Sequence, residues 1–258
     1  MRMSFVSGCL EVVNFAVSLA PETQHCMVCA APLHYGTESV EVVCHDCGRA
    51  GVSSIVCPDG HYVCDRCHAA ASLEWLKQCT LASAQQSPEA LLEELLALPG
   101  LPMHGPEHHV MAALALLGAA RNKGREVDAA LFDEALRRGM TIPGGACGYL
   151  GACGAGVGVG IAVSLLQGAT PTTEVKRGLA NRATAAALIA LGDDYARCCK
   201  RVLRLAVAAS RPFLKTHLGL DFPLADAAPL CNDMARNREC PGRNCLYHPL
   251  HDSTGETR

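Results

Sequence analysis

The stretch Pro143-Gly-Gly-Ala-Cys147-Gly-Tyr-Leu-Gly-Ala-Cys153-Gly-Ala-Gly-Val-Gly-Val-Gly160 carries no charge and runs on into Ile-Ala-Val-Ser-Leu-Leu166. Several readings compete for it. A membrane span meets the length criterion, because Cys147 to Leu166 is twenty residues without a charge. Six of the twenty are glycine, however, and each costs an isolated helix about 1 kcal/mol relative to alanine. No basic residues or aromatic belt flank the run closely. A dinucleotide loop fails on register, since Gly154 and Gly156 would require glycine where Val159 stands, and no lysine follows for a phosphate loop. A buried glycine-lined helix remains, or a helix start whose backbone closely approaches a bound group. The fold class that follows is mainly α, with this run as a central helix. Composition agrees: half the residues are hydrophobic, only 4% are aromatic, and alanine, leucine and glycine dominate.

At 258 residues the chain can hold one medium domain and a small satellite. A net charge of -3 gives no basic footprint for nucleic acid or an anionic membrane, so neither is expected as a partner. Sixteen cysteines would form disulfides only in an oxidising compartment. Val6-Ser-Gly-Cys9 has the form of a lipoprotein cleavage box, but the five residues before it are too few for an apolar leader, and Glu11 follows closely. The expectation is a reducing cytoplasm with metal-bound thiolates.

Working upstream, Cys26-Met-Val-Cys29 is followed by Cys44-His-Asp-Cys47-Gly48, then Cys57, His61 and Cys64-Asp-Arg-Cys67-His68. Two thiolates separated by two residues grip one ion because the tight turn points both sulfurs inward, and Gly48 supplies the positive φ that completes the turn. Ser39-Val-Glu-Val-Val alternates as a strand does, which fits a β-hairpin presenting a zinc knuckle. Cys26, Cys29, Cys44, Cys47, Cys57, His61, Cys64 and Cys67 supply two four-ligand zinc sites. Spacing leaves sequential and cross-braced pairing open, with His45 or His68 able to replace a ligand. Three segments follow: a lead at 1–22 with a short apolar element over 10–20, a two-site zinc-binding module at 23–82, and a helical domain at 83–258.

The helical domain opens with Ser87-Pro88-Glu89, a helix start with cap, proline and acidic first turn. Next comes Met103-His104-Gly-Pro106-Glu107-His108-His109, ahead of an apolar run. His104, Glu107 and His108 are candidates for proton transfer or substrate orientation. The bland alternative is a carboxylate complementing a helix dipole, with surface histidines beside it. Glu126 to Gly139 reads as an amphipathic helix, Thr173 to Leu191 as another, and Asp193-Asp194 and Cys198-Cys199 follow in a helix of mixed basic and apolar residues to about Ser210. Adjacent helical residues point about 100° apart, so Cys198 and Cys199 cannot grip one ion together.

The tail carries Cys231, Cys240-Pro241 and Cys245. Proline directly after a cysteine is a habit of ferredoxin-like runs. With Cys147 and Cys153, at glycine-rich helix starts that stabilise anionic sulfur, this gives five thiols for a candidate iron–sulfur cluster.

Taken together, Cys57-Pro-Asp-Gly-His61-Tyr-Val-Cys64-Asp-Arg-Cys67-His68, Met103-His-Gly-Pro-Glu-His-His109, Ala146-Cys-Gly-Tyr-Leu-Gly-Ala-Cys-Gly154 and the Cys240/Cys245 tail resemble a cysteine-rich bacterial and archaeal family, a domain of unknown function. The resemblance implies no activity, and it implies radical-SAM or methyltransferase proteins as neighbours. A weaker local likeness joins Cys147 to Thr170 with iron–sulfur serine dehydratases and cysteine desulfidases, from which no catalytic residue carries over. The expected function is a cytoplasmic metalloprotein with zinc module and iron–sulfur domain, performing lyase or sulfur-handling chemistry. The competing expectation is a non-catalytic adaptor whose zinc module docks a partner enzyme.

Overall fold

The computed structural model describes residues 25–193 and 195–251. The lead segment, with its apolar element over 10–20 and the Cys9 box, lies outside the described residues.

A two-stranded antiparallel hairpin comes first, β1 at His34–Val43 and β2 at Ala50–Val56, paired from His34 opposite Val56 to Val43 opposite Ala50. Among the described residues eight helices follow: α1 Asp65–Ala82, α2 Pro88–Leu96, α3 His108–Asn122, α4 Ala129–Gly139, α5 Ala146–Tyr149, α6 Gly154–Gln167, α7 Glu174–Ile189 and α8 Cys199–Leu218. The fold is therefore mainly α, with a small hairpin module in front.

Capping residues set several boundaries. The Ser87 side chain accepts from the Ala90 N–H with Pro88 at the first helical position. Asp128 accepts from the Leu131 N–H, so α4 begins three residues later than its amphipathic pattern from Glu126 indicated. Helix α8 continues beyond Ser210 and through Pro212. A proline removes one backbone donor, whereas the continuing burial of Leu214 and Leu218 holds the last turns on the core until Gly219 ends the helix at φ 65°.

The core forms around α3, in which every residue from Val110 to Ala120 is buried. A helix that is apolar all round belongs at the centre of a bundle, and α3 packs on α1, α2, α4, α6 and α8. The glycine-rich run becomes α6, wedged between α3 and α7. Its glycines divide by face. Gly154 and Gly158 meet α3, where a Cβ on Gly158 would stand 3.0 Å from the His109 carbonyl oxygen and 3.3 Å from the Ala112 methyl. Gly156 and Gly160 meet α7 at Leu188, Thr184 and the Ala180 carbonyl. Two small-residue ridges, each with spacing of four, let α6 approach both neighbours at once; this contact offsets the low helix propensity of glycine. The uncharged run that matched a membrane span in length is broken into α5, a turn and the 14 residues of α6. Among the described residues no helix is long and apolar enough to cross a membrane.

Candidate metal centres

The hairpin decides how the module's eight ligands pair. Cys26 and Cys29 precede β1, Cys44 and Cys47 form the turn, and Cys57 follows β2. An antiparallel return brings the end of β2 back beside the start of β1. Cys26, Cys29, Cys57 and His61 therefore form one quartet and Cys44, Cys47, Cys64 and Cys67 the other, each with its ligand atoms within 4.8 Å of one another. The arrangement is cross-braced. Cys29 Sγ lies 3.5 Å from Cys57 Sγ, Cys57 Sγ 3.8 Å from His61 Nδ1, and Cys47 Sγ 3.8 Å from Cys64 Sγ. Zinc–sulfur bonds of about 2.3 Å place tetrahedral ligands about 3.8 Å apart, so both quartets have the dimensions of a single-ion site.

The two Cys-x-x-Cys knuckles share one backbone design. Ala30 N–H donates to the Cys26 carbonyl and Gly48 N–H to the Cys44 carbonyl, at 2.8 and 2.9 Å. Both residues take positive φ, 60° at Ala30 and 69° at Gly48. Backbone N–H groups also point at sulfur: Val28 to Cys26 and Asp59 to Cys57 at 3.4 Å, Cys64 to Cys44 at 3.3 Å. The Cys64 N–H, outweighing burial, holds the Cys44 thiol down at about 6, whereas hydrogen bonding to Cys64 and Cys47 pushes Cys67 up to about 12. Thiolates this close repel one another, and a bound cation would relieve that repulsion.

The module is packed against the helical domain. Asp65, between two ligands, accepts from the Gly144 N–H at 2.8 Å, Tyr149 Oη donates to the Gly36 carbonyl at 2.8 Å, and the Arg197 guanidinium lies 4.5 Å over the Tyr35 ring. His68, the residue after ligand Cys67, reaches Glu107, with Nδ1 3.4 Å from Oε2.

Glu107 itself is fully buried, and His108 Nδ1 lies 3.1 Å from its Oε1. Burial alone would raise its pKa, but the flanking His108 and His68 outweigh that and hold it well below the usual carboxylate range. His104 is buried too, with Nε2 3.8 Å from Glu239 Oε2; burial first, then the nearby Arg197 charge, lowers its pKa to about 4. The three residues singled out at this helix start are thus interior groups, and the surface-histidine alternative falls for His104 and His108.

The five tail and central cysteines do not stay together. Cys231, Cys240 and Cys245 line one small void, and the fourth thiol on it is Cys198. Cys147 and Cys153 are not on that wall: Cys147 is exposed on α5, and Cys153 caps α6. Of the five thiols expected to group, the three tail cysteines line this void. The tail folds onto the start of α8 through buried Lys200, which pairs with Asp233 at 2.8 Å, and it closes on itself where Cys231 N–H donates to the Tyr247 carbonyl at 2.7 Å. Arg204, held by Glu93 through two bonds of 2.6 and 2.7 Å, covers the Tyr247 ring. Three of the four sulfurs accept backbone N–H groups at 3.4 Å, from Arg201 to Cys198, Asp233 to Cys231 and Gly242 to Cys240. The same device serves the two quartets.

This void differs from the quartets in size and charge. Among the described residues the sets of three or more ligand atoms within 4.8 Å of one another are the two quartets, so these four sulfurs stand farther apart. Arg201, 4% exposed, also lines the void, and its Nε and Nη1 have no hydrogen-bond partner. Sequence reasoning had set Cys198 aside because it adjoins Cys199; Cys198 is in fact the extended residue that caps α8, and its thiol lines the void without Cys199.

Residues 76–248 match the family of unknown function DUF5714. The chain belongs to that family. The DUF5714 segment begins within α1 and includes Glu107, Cys198, Cys199 and the three tail cysteines, while both quartets and His68 precede it. No curated protein and no solved structure matches the chain, so neither supports a likeness of its central stretch to iron–sulfur dehydratases.

Proposed function

We propose that this DUF5714 protein is a cytoplasmic metalloprotein with two kinds of centre: zinc in the cross-braced quartets and an iron–sulfur cluster held by Cys198, Cys231, Cys240 and Cys245. The observation that carries the reading is the void shared by those four thiols and by Arg201, whose Nε and Nη1 have no hydrogen-bond partner. A single zinc ion would draw the sulfurs to about 3.8 Å. A multi-iron core holds them apart, carries net negative charge with four thiolates, and so supplies the acceptor that Arg201 lacks.

Four cysteine ligands leave no iron open to substrate. That favours electron transfer or structural support over the Lewis-acid lyase chemistry expected from the sequence. His104, Glu107 and His108 remain proton-handling candidates in a separate interior site. An accessory role would use the hairpin, where Val43 and Val52 are exposed on one face and Val40 on the other.

Anaerobic purification followed by iron, sulfide and zinc analysis and a visible spectrum tests the proposal. Two zinc ions, a cluster's complement of iron and sulfide, and a sulfur-to-iron charge-transfer band are expected. A protein without iron after anaerobic reconstitution with ferrous iron and sulfide would end the cluster reading.

A further inference from the structure

We propose that the first quartet is a metal-exchange site that passes its ion to an incoming thiolate, with Cys29 as the leaving ligand and Asp59 as the group that labilises it. The inference rests on reading the quartets as zinc sites and is independent of the iron–sulfur reading.

Closed four-ligand zinc sites are structural by default, so an exchanging one has to be marked by its surroundings. Each quartet has one exposed sulfur, at the second cysteine of its leading knuckle: Cys29 in the first and Cys47 in the second. Solvent reaches both sites at equivalent positions. What stands beside those two sulfurs differs.

The Asp59 N–H donates to Cys57 Sγ at 3.4 Å, and Gly60 closes the turn at φ 79° by donating to the Cys57 carbonyl. One ligand thus fixes the backbone of Asp59, and the side chain reaches another: the Cys29 thiol donates to Asp59 Oδ2 across 3.4 Å. Asp59 is not one of the four mutually close donors, so it stands beside the coordination sphere. The contact has opposite signs in the two states of Cys29. As a thiol, Cys29 has a proton to share with the carboxylate. As a metal-bound thiolate it faces a second anion at short range, which weakens its hold on the ion. In the second knuckle the acid is Asp46, which turns to His45 with Oδ1 3.1 Å from Nδ1.

Backbone strain adds to the asymmetry. Ala30, directly after Cys29, is held at φ 60° where the second knuckle has Gly48, so the first knuckle keeps an L-residue in the left-handed region. Letting Cys29 go relieves that strain. The second quartet is also tied down: Cys64 caps α1, Cys67 lies in its first turn, and Asp65 and His68 reach Gly144 and Glu107. All four ligands of the first quartet lie outside helices and strands. In the exchange the incoming thiol gives up its proton and forms the new zinc–sulfur bond, while the bond to Cys29 breaks. Cys29 takes up the proton and its thiol donates to Asp59, so charge and thiol number are unchanged. An acceptor with further thiolates completes the transfer ligand by ligand.

The test uses full-length protein, zinc-loaded and kept anaerobic, with zinc loss to a chromogenic indicator followed as glutathione, the thiolate probe, is raised. One of the two ions should leave in a fast phase whose rate rises with glutathione. Asp59→Asn keeps the shape of an exposed side chain and removes its charge. It should slow the fast phase on the order of tenfold, the effect of one like charge at this range near a protein surface, and leave the slow phase alone. Asp46→Asn should change neither phase. Cys29→Ser should abolish the fast phase and retain the slow ion, which assigns the phases to the quartets. A fast phase that survives Cys29→Ser, or that Asp59→Asn leaves unchanged or accelerates, would overturn the proposal, as would equal slowing by Asp46→Asn. A wild type that takes up no zinc defeats the zinc reading itself. Two bound ions released at one rate from wild type and Asp59→Asn alike defeat only the exchange role.

Discussion

Cys198 and Cys199 are consecutive residues whose thiols lie in different surroundings at the start of α8. Cys198 lines the void with the tail cysteines, and Cys199 faces the Gly105–Glu107 loop. Serine at each position should therefore separate two phenotypes. Cys198→Ser should lower iron and sulfide at least several-fold, because a hydroxyl is a poor replacement for a thiolate at iron. Cys199→Ser should leave iron, sulfide and the charge-transfer band unchanged. Parallel analysis of the two purified variants checks this, and equal iron loss in both would contradict the division.

A second prediction concerns Cys67 and His68, again neighbours with different tasks. Cys67 belongs to the second quartet while His68 and Asp65 reach across to Glu107 and Gly144. Removing that quartet's ion by Cys67→Ser should free the start of α1 and expose the loop at residues 104–109. Hydrogen exchange there should rise by roughly an order of magnitude, the equivalent of about 1.4 kcal/mol of local stability. Cys29→Ser, in the other quartet, should leave exchange in this loop near the wild-type rate.

Ala30 offers a third test. It occupies the left-handed position that Gly48 fills in the matching knuckle, with φ of 60° against 69°. An L-residue there costs about 1–2 kcal/mol, and glycine removes that strain while adding about 0.5–1 kcal/mol of unfolded-state freedom. Ala30→Gly should thus stabilise the metal-loaded module by a few tenths to about 1 kcal/mol. Competition against a zinc chelator would show it as slower loss from the first quartet. Faster zinc loss would mean that strain at Ala30 is not limiting.

The packing of α6 gives a fourth. A methyl group on Gly160 would collide with the Thr184 hydroxyl and come within 3.1 Å of the Ala180 carbonyl oxygen, while Gly148 has nothing within 4 Å. Thr184 can rotate away, but the backbone carbonyl cannot. Gly160→Ala should cost about 1–3 kcal/mol from overpacking, less about 1 kcal/mol of helix propensity, for a net loss and a lower Tm. Thr184→Ala in the same chain should recover part of it. Gly148→Ala should stay within about 0.5 kcal/mol of wild type.

The sequence showed the elements more clearly than their meeting points. Three Cys-x-x-Cys pairs and the Cys57-x-x-x-His61 spacing identified the eight quartet ligands because the turns that bind an ion are local. Their pairing was not local: it depends on the hairpin returning β2 to the start of β1. The glycine run was correctly a packed helix, yet the fully buried centre is α3, whose uniform apolarity carries no directional signal. Cys198 was passed over for a geometric reason that proved true of the pair and uninformative about each member. The third fragment of the Glu107 site, His68, had no mark beyond its place after Cys67. A buried carboxylate announces its partners only once the fold closes around it.

Arg201 supplies the final prediction. Its Nη2 is held by Asp193 at 3.1 Å and by the Ala196 carbonyl at 3.1 Å, while Nε and Nη1 lie buried without partners on the wall of the void. A guanidinium beside a cluster stabilises the more negative, reduced form more than the oxidised one. Arg201→Met keeps the length of the side chain and removes the charge. If the preference for the reduced form is worth about 1 kcal/mol, the reduction potential should fall by on the order of 50 mV, since a tenfold change in a one-electron equilibrium is about 59 mV. Cluster content should be retained, because no ligand has been touched. Anaerobic redox titration followed in the visible band measures the shift. An unchanged potential in a fully loaded variant would place the guanidinium outside the cluster's field and leave its buried nitrogens to some other acceptor.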